Sequence, residues 1–422
     1  MSARRARAVL AVLLAALLGA AGCSGGPPQP PPAGTDPFFV RNTDHSPTDW
    51  LAAAVITDAQ QYWRTTLPQV AHGEQWSDLD GGAHSVDTTS SGASAPPCSS
   101  SASEVEGNAY YCGPADAIVW DRAALLPVLR DHYGDAAVVA VLAHEMGHAV
   151  QKRAGLDPSD RSLHTESMAD CYSGAFTRWV VDGHAPDLHL APAQRDSALR
   201  ALISFRDPVG TTSSAPDAHG TAFDRAAAFQ DGYQHGPPQC GSVANETATL
   251  AQHPDAPPRP LEQTLAAAPD GFFADLVRRR GGTWNPPPLA WSTDPAARCR
   301  NTSPVAYCPP TIVADRGALT ELNRDAGDHA AATLLTTRRA LAAQDALHQP
   351  ITGPDAARRT ACLTGAHTAA ERRALTPRDL DSTLRTLLAG NAAAIPGGGL
   401  SGFDRVAAFR AGAAGGASAC GE

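Results

Sequence analysis

Two stretches of the chain, 196 residues apart, carry the same landmarks in the same order. Tyr111-Cys112-Gly113-Pro114 returns as Tyr307-Cys308-Pro309-Pro310, Asp121-Arg122 as Asp315-Arg316, and Gly134-Asp135 as Gly327-Asp328. From there the two segments run without a gap to Gln151 and Gln344, with Leu142 facing Leu335. Cys171 with Gly174-Ala175 returns as Cys362 with Gly365-Ala366, Phe223-Asp224-Arg225 as Phe403-Asp404-Arg405, Phe229 as Phe409, and Cys240-Gly241 as Cys420-Gly421. Chance likeness between alanine-rich helices does not reproduce four cysteines in matched order, so the chain reads as an internal duplication. Its 422 residues agree, being two to three times an ordinary domain. Residues 45–243 form one copy, 244–257 a linker ahead of the proline-rich boundary near His253 to Pro260, and 258–422 the second copy.

The duplication sorts the nine cysteines into one plus two sets of four: Cys98, Cys112, Cys171, Cys240 and Cys299, Cys308, Cys362, Cys420. Four cysteines allow three pairings, which sequence alone leaves open. The first two of each set flank one loop, which favours Cys98–Cys112 with Cys171–Cys240, and Cys299–Cys308 with Cys362–Cys420. A loop of that size closed by a disulfide gains roughly 3 kcal/mol. No close C-x-x-C pair points to zinc binding by these cysteines.

The remaining cysteine, Cys23, follows Arg4, Arg5, Arg7 and an apolar run from Ala8 to Gly22, too short to span a bilayer but suited to a signal peptide. Ala20-Ala21-Gly22-Cys23 is similar to a bacterial lipobox, although Ala20 stands where an aliphatic residue is preferred. Residues 1–22 are thus expected to be removed, and Cys23 to carry a lipid that anchors the chain to the outer face of the cell membrane. Residues 23–44, rich in proline and glycine, then read as an extended tether. Export to an oxidising space suits the disulfides. Loss of residues 1–22 removes three arginines and no acid, deepening the net charge from −10 to −13. With no basic tract beyond the N-terminus, a nucleic-acid partner is not expected.

Asp135 to Arg153 reads as a helix, with Val138, Val139, Val141 and Leu142 on its apolar face and Gly155 and Pro158 beyond its end. Within it lies His144-Glu145-Met146-Gly147-His148. Positions i and i+4 share a helix face, so His144 and His148 can reach one zinc ion, and Glu145 beside them can take a proton from an attacking water. A next helix is expected from about Thr165, with Glu166 and Asp170 again on one face. Glu166 is the expected third ligand, with His164 as its rival, and Asp170 would hold the far nitrogen of a ligand histidine. A helix-start acid and a surface charge are the plainer readings of these two carboxylates.

The second copy acts as an internal control. His144, Glu145 and His148 face Thr337, Arg338 and Leu341, while Glu166 and Asp170 face Ala357 and Ala361. Every position proposed for metal or chemistry is replaced, whereas cysteines, glycines and the Phe-Asp-Arg box stay, which reads as scaffold. His219 faces Gly399 and is lost with the ligands. It is a candidate to donate a hydrogen bond to the oxyanion of the transition state; a loop or helix-capping histidine is the alternative.

Asn108-Ala109-Tyr110-Tyr111-Cys112, Ile118-Val119-Trp120-Asp121, His144 to Gln151, Glu166 to Cys171, and His219-Gly220 ahead of Arg225 and Phe229 together resemble the neutral zinc metallopeptidases of bacteria, with the general pattern of gluzincins. The resemblance covers about residues 58–241. It implies an α+β, mainly helical, zincin-like domain in which a small β-hairpin precedes the active-site helix, followed here by a degenerate copy without ligands. It also implies a strand near Ile118 to Trp120 that pairs with an extended peptide substrate. The expected activity is hydrolysis of peptide bonds in peptides or proteins with Zn2+ as cofactor. A zinc-containing lipoprotein module that binds without turnover is the alternative.

Overall fold

In each half a short sheet is laid against the helix that follows it. The computed structural model describes residues 39–422 apart from 157–162, 209–210, 212–217, 244–245, 254–256, 258, 267–270, 294–302, 390–392, 394 and 396–397. The proposed signal peptide, Cys23, most of the tether and Cys299 therefore lie outside the described residues. Among the described residues no helix is long and apolar enough to cross a membrane.

The first half runs β1 (Val40–Arg41), α1 (Pro47–Val70), β2 (Gly82–Val86), β3 (Ala109–Cys112), β4 (Ala117–Asp121), α2 (Leu125–Tyr133), α3 (Asp135–Arg153), α4 (Leu163–Val181), α5 (Arg195–Ser204) and α6 (Ala222–His235). Its sheet has the order β1-β2-β4-β3; β2 pairs in parallel with β1 and β4, and β3 closes an antiparallel hairpin with β4. Every residue of β4 is buried, as expected of a central strand covered on both faces. The second half runs α7 (Glu246–Leu250), α8 (Leu261–Ala266), α9 (Gly271–Arg279), β5 (Leu289–Trp291), β6 (Val305–Cys308), β7 (Thr311–Ala314), α10 (Arg316–Ala326), α11 (Ala330–Ala346), α12 (Pro354–Ala370), α13 (Pro377–Leu388) and α14 (Gly402–Gly415). The order β5-β7-β6, parallel and then antiparallel, repeats β2-β4-β3. The protein is α+β and mainly helical.

The matched boxes do matching work. Gly134 and Gly327 join α2 to α3 and α10 to α11 at φ of 78° and 112°, values that exact a penalty from any side chain. Gly174 and Gly232 let α4 and α6 touch backbone to backbone: a Cβ at either would stand 2.0 Å from Phe229 O or 1.8 Å from Cys171 O. Gly365 and Gly412 do the same for α12 and α14, at 1.9 Å from Phe409 O and 1.8 Å from Cys362 O. Each crossing is then tied by a disulfide, Cys171–Cys240 or Cys362–Cys420, and Cys98–Cys112 ties the β2–β3 connection to the end of β3. Cys308 is disulfide-bonded as well.

Every described residue falls in one unit, Pro32–Glu422, and one apolar core runs through both halves, taking in Ile118, Val139 and Phe229 as well as Val305, Leu334 and Phe409. α7, at the start of the second half, is bonded to both sides: Thr247 N donates to Asp224 Oδ1 at 2.9 Å, and just beyond the helix Gln252 N donates to Arg372 O at 3.1 Å.

Candidate metal centre

Helix α3 begins at the Gly134 turn, where Asp135 in its first turn pairs with Arg130 at 2.8 Å, and ends in Lys152 and Arg153, both favourable to the helix dipole. Almost its whole length is buried, so His144, Glu145 and His148 sit in the interior at 4%, 7% and 6% exposure. The two imidazoles lie one turn apart with ring centroids at 4.9 Å. Helix α4 packs across them. A Cβ on Gly147 would come within 2.9 Å of Ala169 Cα, so the glycine inside the motif sets how closely α4 approaches. That approach brings Glu166 Oε2 to 3.3 Å from His144 Nε2 and Glu166 Oε1 to 3.5 Å from His148 Nε2.

Among the described residues these three form a buried group able to hold a metal ion, with one ligand atom from each lying within 4.8 Å of the others. His164, the rival ligand, is exposed and stands outside the group. Asp170 Oδ1 meets His144 Nδ1 at 2.7 Å, which turns His144 Nε2 toward Glu166. Gln151 does the same for the other ring: its Oε1 meets His148 Nδ1 at 3.0 Å, while its Nε2 donates to Thr165 O on α4 at 2.5 Å. His148 Nε2 is buried without a hydrogen-bond partner.

Charge at the site is unbalanced. Glu145, Glu166 and Asp170 are all buried, and the buried guanidinium beside them belongs to Arg225, which grips Asp170 through Nε and Nη2 at 2.9 and 2.8 Å. Burial disfavours a charge on His144, yet Asp170, Glu166 and Glu145 outweigh it and raise its pKa to about 10. Burial likewise works against the Glu166 carboxylate, but both histidines hold it well below the usual carboxylate range. Such a site favours positive charge.

Glu145 points the other way, to the sheet. Its Oε2 accepts the Tyr111 N–H of β3 at 2.9 Å, which leaves Oε1 for another partner. Because β4 pairs with β2 on one side and β3 on the other, it has no free edge. The expectation that a substrate pairs with Ile118 to Trp120 is therefore corrected: of the two edge strands, β1 and β3, the one beside Glu145 is β3. His219 is half-buried in the loop before α6, its side chain 42% exposed, with its own N–H and that of Gly220 held by Asp207 at 3.0 and 2.8 Å. Burial and the Arg225 charge lower its pKa against the pull of Glu166 and Glu145.

Arg225 and Gln151 serve the site although the second half keeps both residues. Arg225 reads as scaffold because Arg405 matches it, but the two do different work: Arg405 donates to Leu387 O and Leu400 O, both at 2.7 Å. Gln151, likewise retained as Gln344, has no histidine to hold in the second half, where Gln344 Nε2 donates to Thr360 Oγ1 at 2.8 Å. At the position of the metal group the second half has a cavity of about 20 Å³ lined by Thr337, Ala357, Ala361, Gly399 and Arg405 among others.

No family model matches the chain, and no solved structure matches it. Curated relatives include an uncharacterized protein of Escherichia coli K12, YpfJ, 30% identical over 159 residues, which cover 32% of this chain and 53% of that protein. Another is the uncharacterized Rv2575 of Mycobacterium tuberculosis H37Rv, 28% identical over 166 residues, 33% of this chain and 56% of the relative. The chain spans about half the length of the curated relatives it matches.

Proposed function

We propose that the first half is a zinc metallopeptidase of the zincin type that hydrolyses peptide bonds outside the cytoplasm, anchored to the membrane through a lipid on Cys23. The observation that carries this reading is the buried group of His144, His148 and Glu166 with Glu145 fixed beside it on a sheet edge. Two imidazoles and one carboxylate are one of the donor sets of catalytic zinc sites, which keep a further position open. The orphaned His148 Nε2 and the excess of buried carboxylate both fit a divalent cation there.

When bound, zinc supplies a Lewis acid that polarises a carbonyl and acidifies water. Glu145 takes the proton of the attacking water on the oxygen that Tyr111 does not occupy, and returns it to the leaving amine. Asp170 and Gln151 hold the two imidazoles in the tautomer that presents Nε2 to the cation. His219 donates to the oxyanion from the rim. An extended peptide lies along the edge of β3, where the alternation of a strand turns the Ala109 carbonyl away from β4 together with the Tyr111 N–H.

The test is metal content and peptide cleavage by the oxidised chain from residue 39 onward, wild type against Glu145→Gln. One equivalent of zinc in both, with cleavage reduced about 100- to 10,000-fold in the variant, is expected for a lost general base. Equal cleavage by both overturns the mechanism. A zinc-loaded wild type that cleaves nothing in a broad peptide library points instead to a binding module without turnover.

A further inference from the structure

The two halves exchange carboxylates. Asp196-Ser197-Ala198-Leu199-Arg200 on α5 matches Asp381-Ser382-Thr383-Leu384-Arg385 on α13. Asp196 reaches across to the start of α14, accepting from Gly402 N at 2.6 Å and Phe403 N at 2.9 Å. In return Asp381 faces the first half: it pairs with Arg206 at 3.1 Å, and although burial raises its pKa to about 6, Arg206 and the nearby amides of Phe223 and Ala222 at the start of α6 pull the other way. The grip is looser on this side, since Asp381 Oδ1 has no hydrogen-bond partner.

The two caps support different cargo. α14 carries Arg405, which donates to the main-chain carbonyls of Leu387 and Leu400 in its own half. α6 carries Arg225 one turn from its start; that guanidinium holds Asp170, and Asp170 holds His144. Arg206, the other residue Asp381 touches, directly precedes Asp207, whose carboxylate fixes the amides of His219 and Gly220. One carboxylate from the second half thus pairs with one end of the segment that runs from α5 to α6 and lies near the other.

We propose that Asp381 is a positioning residue for the metal centre of the other half, so that the copy without ligands serves as a built-in subunit that braces Arg225 and His219. The inference rests on the metal reading above, and the mirror-image Asp196 supplies its control. Removing either cap weakens a helix start, but only one of the two helices leads to a ligand.

The experiment uses the full chain from residue 39 with Asp381→Ala, Asp381→Asn and Asp196→Ala. Zinc and cobalt dissociation constants are measured by chelator competition, and amide hydrogen exchange is followed over residues 218–225. Asp381→Ala is expected to weaken metal binding about tenfold, the lower range for loss of an outer support of a metal ligand, and to speed exchange over that segment. Asp196→Ala lowers the melting temperature with metal affinity and exchange at 218–225 unchanged. Should Asp381→Ala fail to fold, Asp381→Asn, which keeps an acceptor for the amides and loses the charge facing Arg206, is expected to show the same effects in smaller measure. Equal affinities in Asp381→Ala and wild type, or equal losses in Asp381→Ala and Asp196→Ala, overturn the proposal. A wild type that binds neither ion overturns the metal reading instead, and exchange at 218–225 then decides whether Asp381 braces the segment.

Discussion

The imidazoles of His144 and His148 stand on one helix face, but what orients them comes from three separate elements: Asp170 on α4, Gln151 at the end of α3 and, behind Asp170, Arg225 on α6. The first two were within reach of sequence reasoning because helical spacing is local. Glu166 and Asp170 announce a shared face by their i,i+4 separation, and Gln151 lies one turn beyond His148. Arg225 was not, since its role depends on a contact between helices 55 residues apart and its counterpart Arg405 survives for a different reason. Retention in the second copy therefore separates the candidate ligands from the rest but cannot separate scaffold from a residue that serves both. A different buried carboxylate is open to a test of its own. Asp58 on α1 is fully buried, accepts the Leu188 N–H at 2.9 Å through Oδ2, and leaves Oδ1 without a partner. Burial, reinforced by the Asp187 charge, raises its pKa from 3.8 to about 6. A carboxyl raised in the folded state favours folding when protonated, so its cost appears as pH climbs from about 4 and is complete above about 6. With about 1.4 kcal/mol per pH unit of separation, that cost is on the order of 3 kcal/mol at pH 8. Asp58→Asn is expected to be more stable than wild type at pH 8, by an amount that narrows at pH 5, in denaturant unfolding. Equal stability at pH 8 contradicts the assignment.

At the level of helices and strands, each copy has settled the same junction between sheet edge and following helix in opposite ways. In the first, Glu145 accepts an N–H from β3; in the second, Arg338 stands at that position and donates, through Nε to Val305 O of β6 at 2.8 Å and through Nη2 to Ser303 Oγ at 2.8 Å. Arg338 is fully buried, and burial lowers its pKa to about 10. The polarity of the contact is reversed while the strand order is kept, which is why the hairpins could be matched from Tyr111-Cys112 and Tyr307-Cys308 alone. The closeness of α3 to α4 was less legible. Gly147 reads as one of two free positions in H-E-x-x-H, whereas its contact with Ala169 is a property of the pair of helices. At the matching places the second half has Ala340 and Thr360, larger residues where no ligand has to be delivered. Gly147→Ala brings a Cβ to 2.9 Å from Ala169 Cα and 3.2 Å from its Cβ, so α4 must move away from α3. Overpacking of this kind costs about 1–3 kcal/mol. The same shift carries Glu166 away from both histidines, so weaker zinc binding is expected along with a lowered melting temperature. Unchanged affinity would place the control of the ligand spacing elsewhere.

Seen whole, the two halves meet as the subunits of a two-fold dimer do. Phe223 packs on Phe409 with centroids at 6.1 Å and rings at 77°, and Phe229 packs on Phe403 at 6.5 Å and 75°. Since Phe223 matches Phe403 and Phe229 matches Phe409, each contact is the mirror of the other, the signature of an isologous interface. The exchanged carboxylates Asp196 and Asp381 obey the same symmetry. Around this pseudo-axis the ion pairs differ: Arg195 meets Asp404 at 2.9 Å, and Arg410 reaches Asp231 at 2.9 Å and Glu246. The repeat of landmarks revealed two units, but not that their shared Phe-Asp-Arg boxes face each other, because nothing local in a helix says which of its buried faces meets a partner copy. A consequence follows for residues 45–243 taken alone. They would present Phe223, Phe229 and Tyr233, now 1%, 0% and 5% exposed, without the Phe403 and Phe409 that pack against them. Leaving large apolar side chains in water costs roughly 1.5–3 kcal/mol each, and the face that covers them in the whole chain is closely similar to their own. The first half alone is therefore expected to pair with a second copy of itself or to precipitate, while the chain from residue 39 remains a monomer. Light scattering behind size exclusion reads the difference. A first half that is monomeric, folded and as stable as the whole chain would show that the interface contributes little and that the symmetry is a relic without energetic weight.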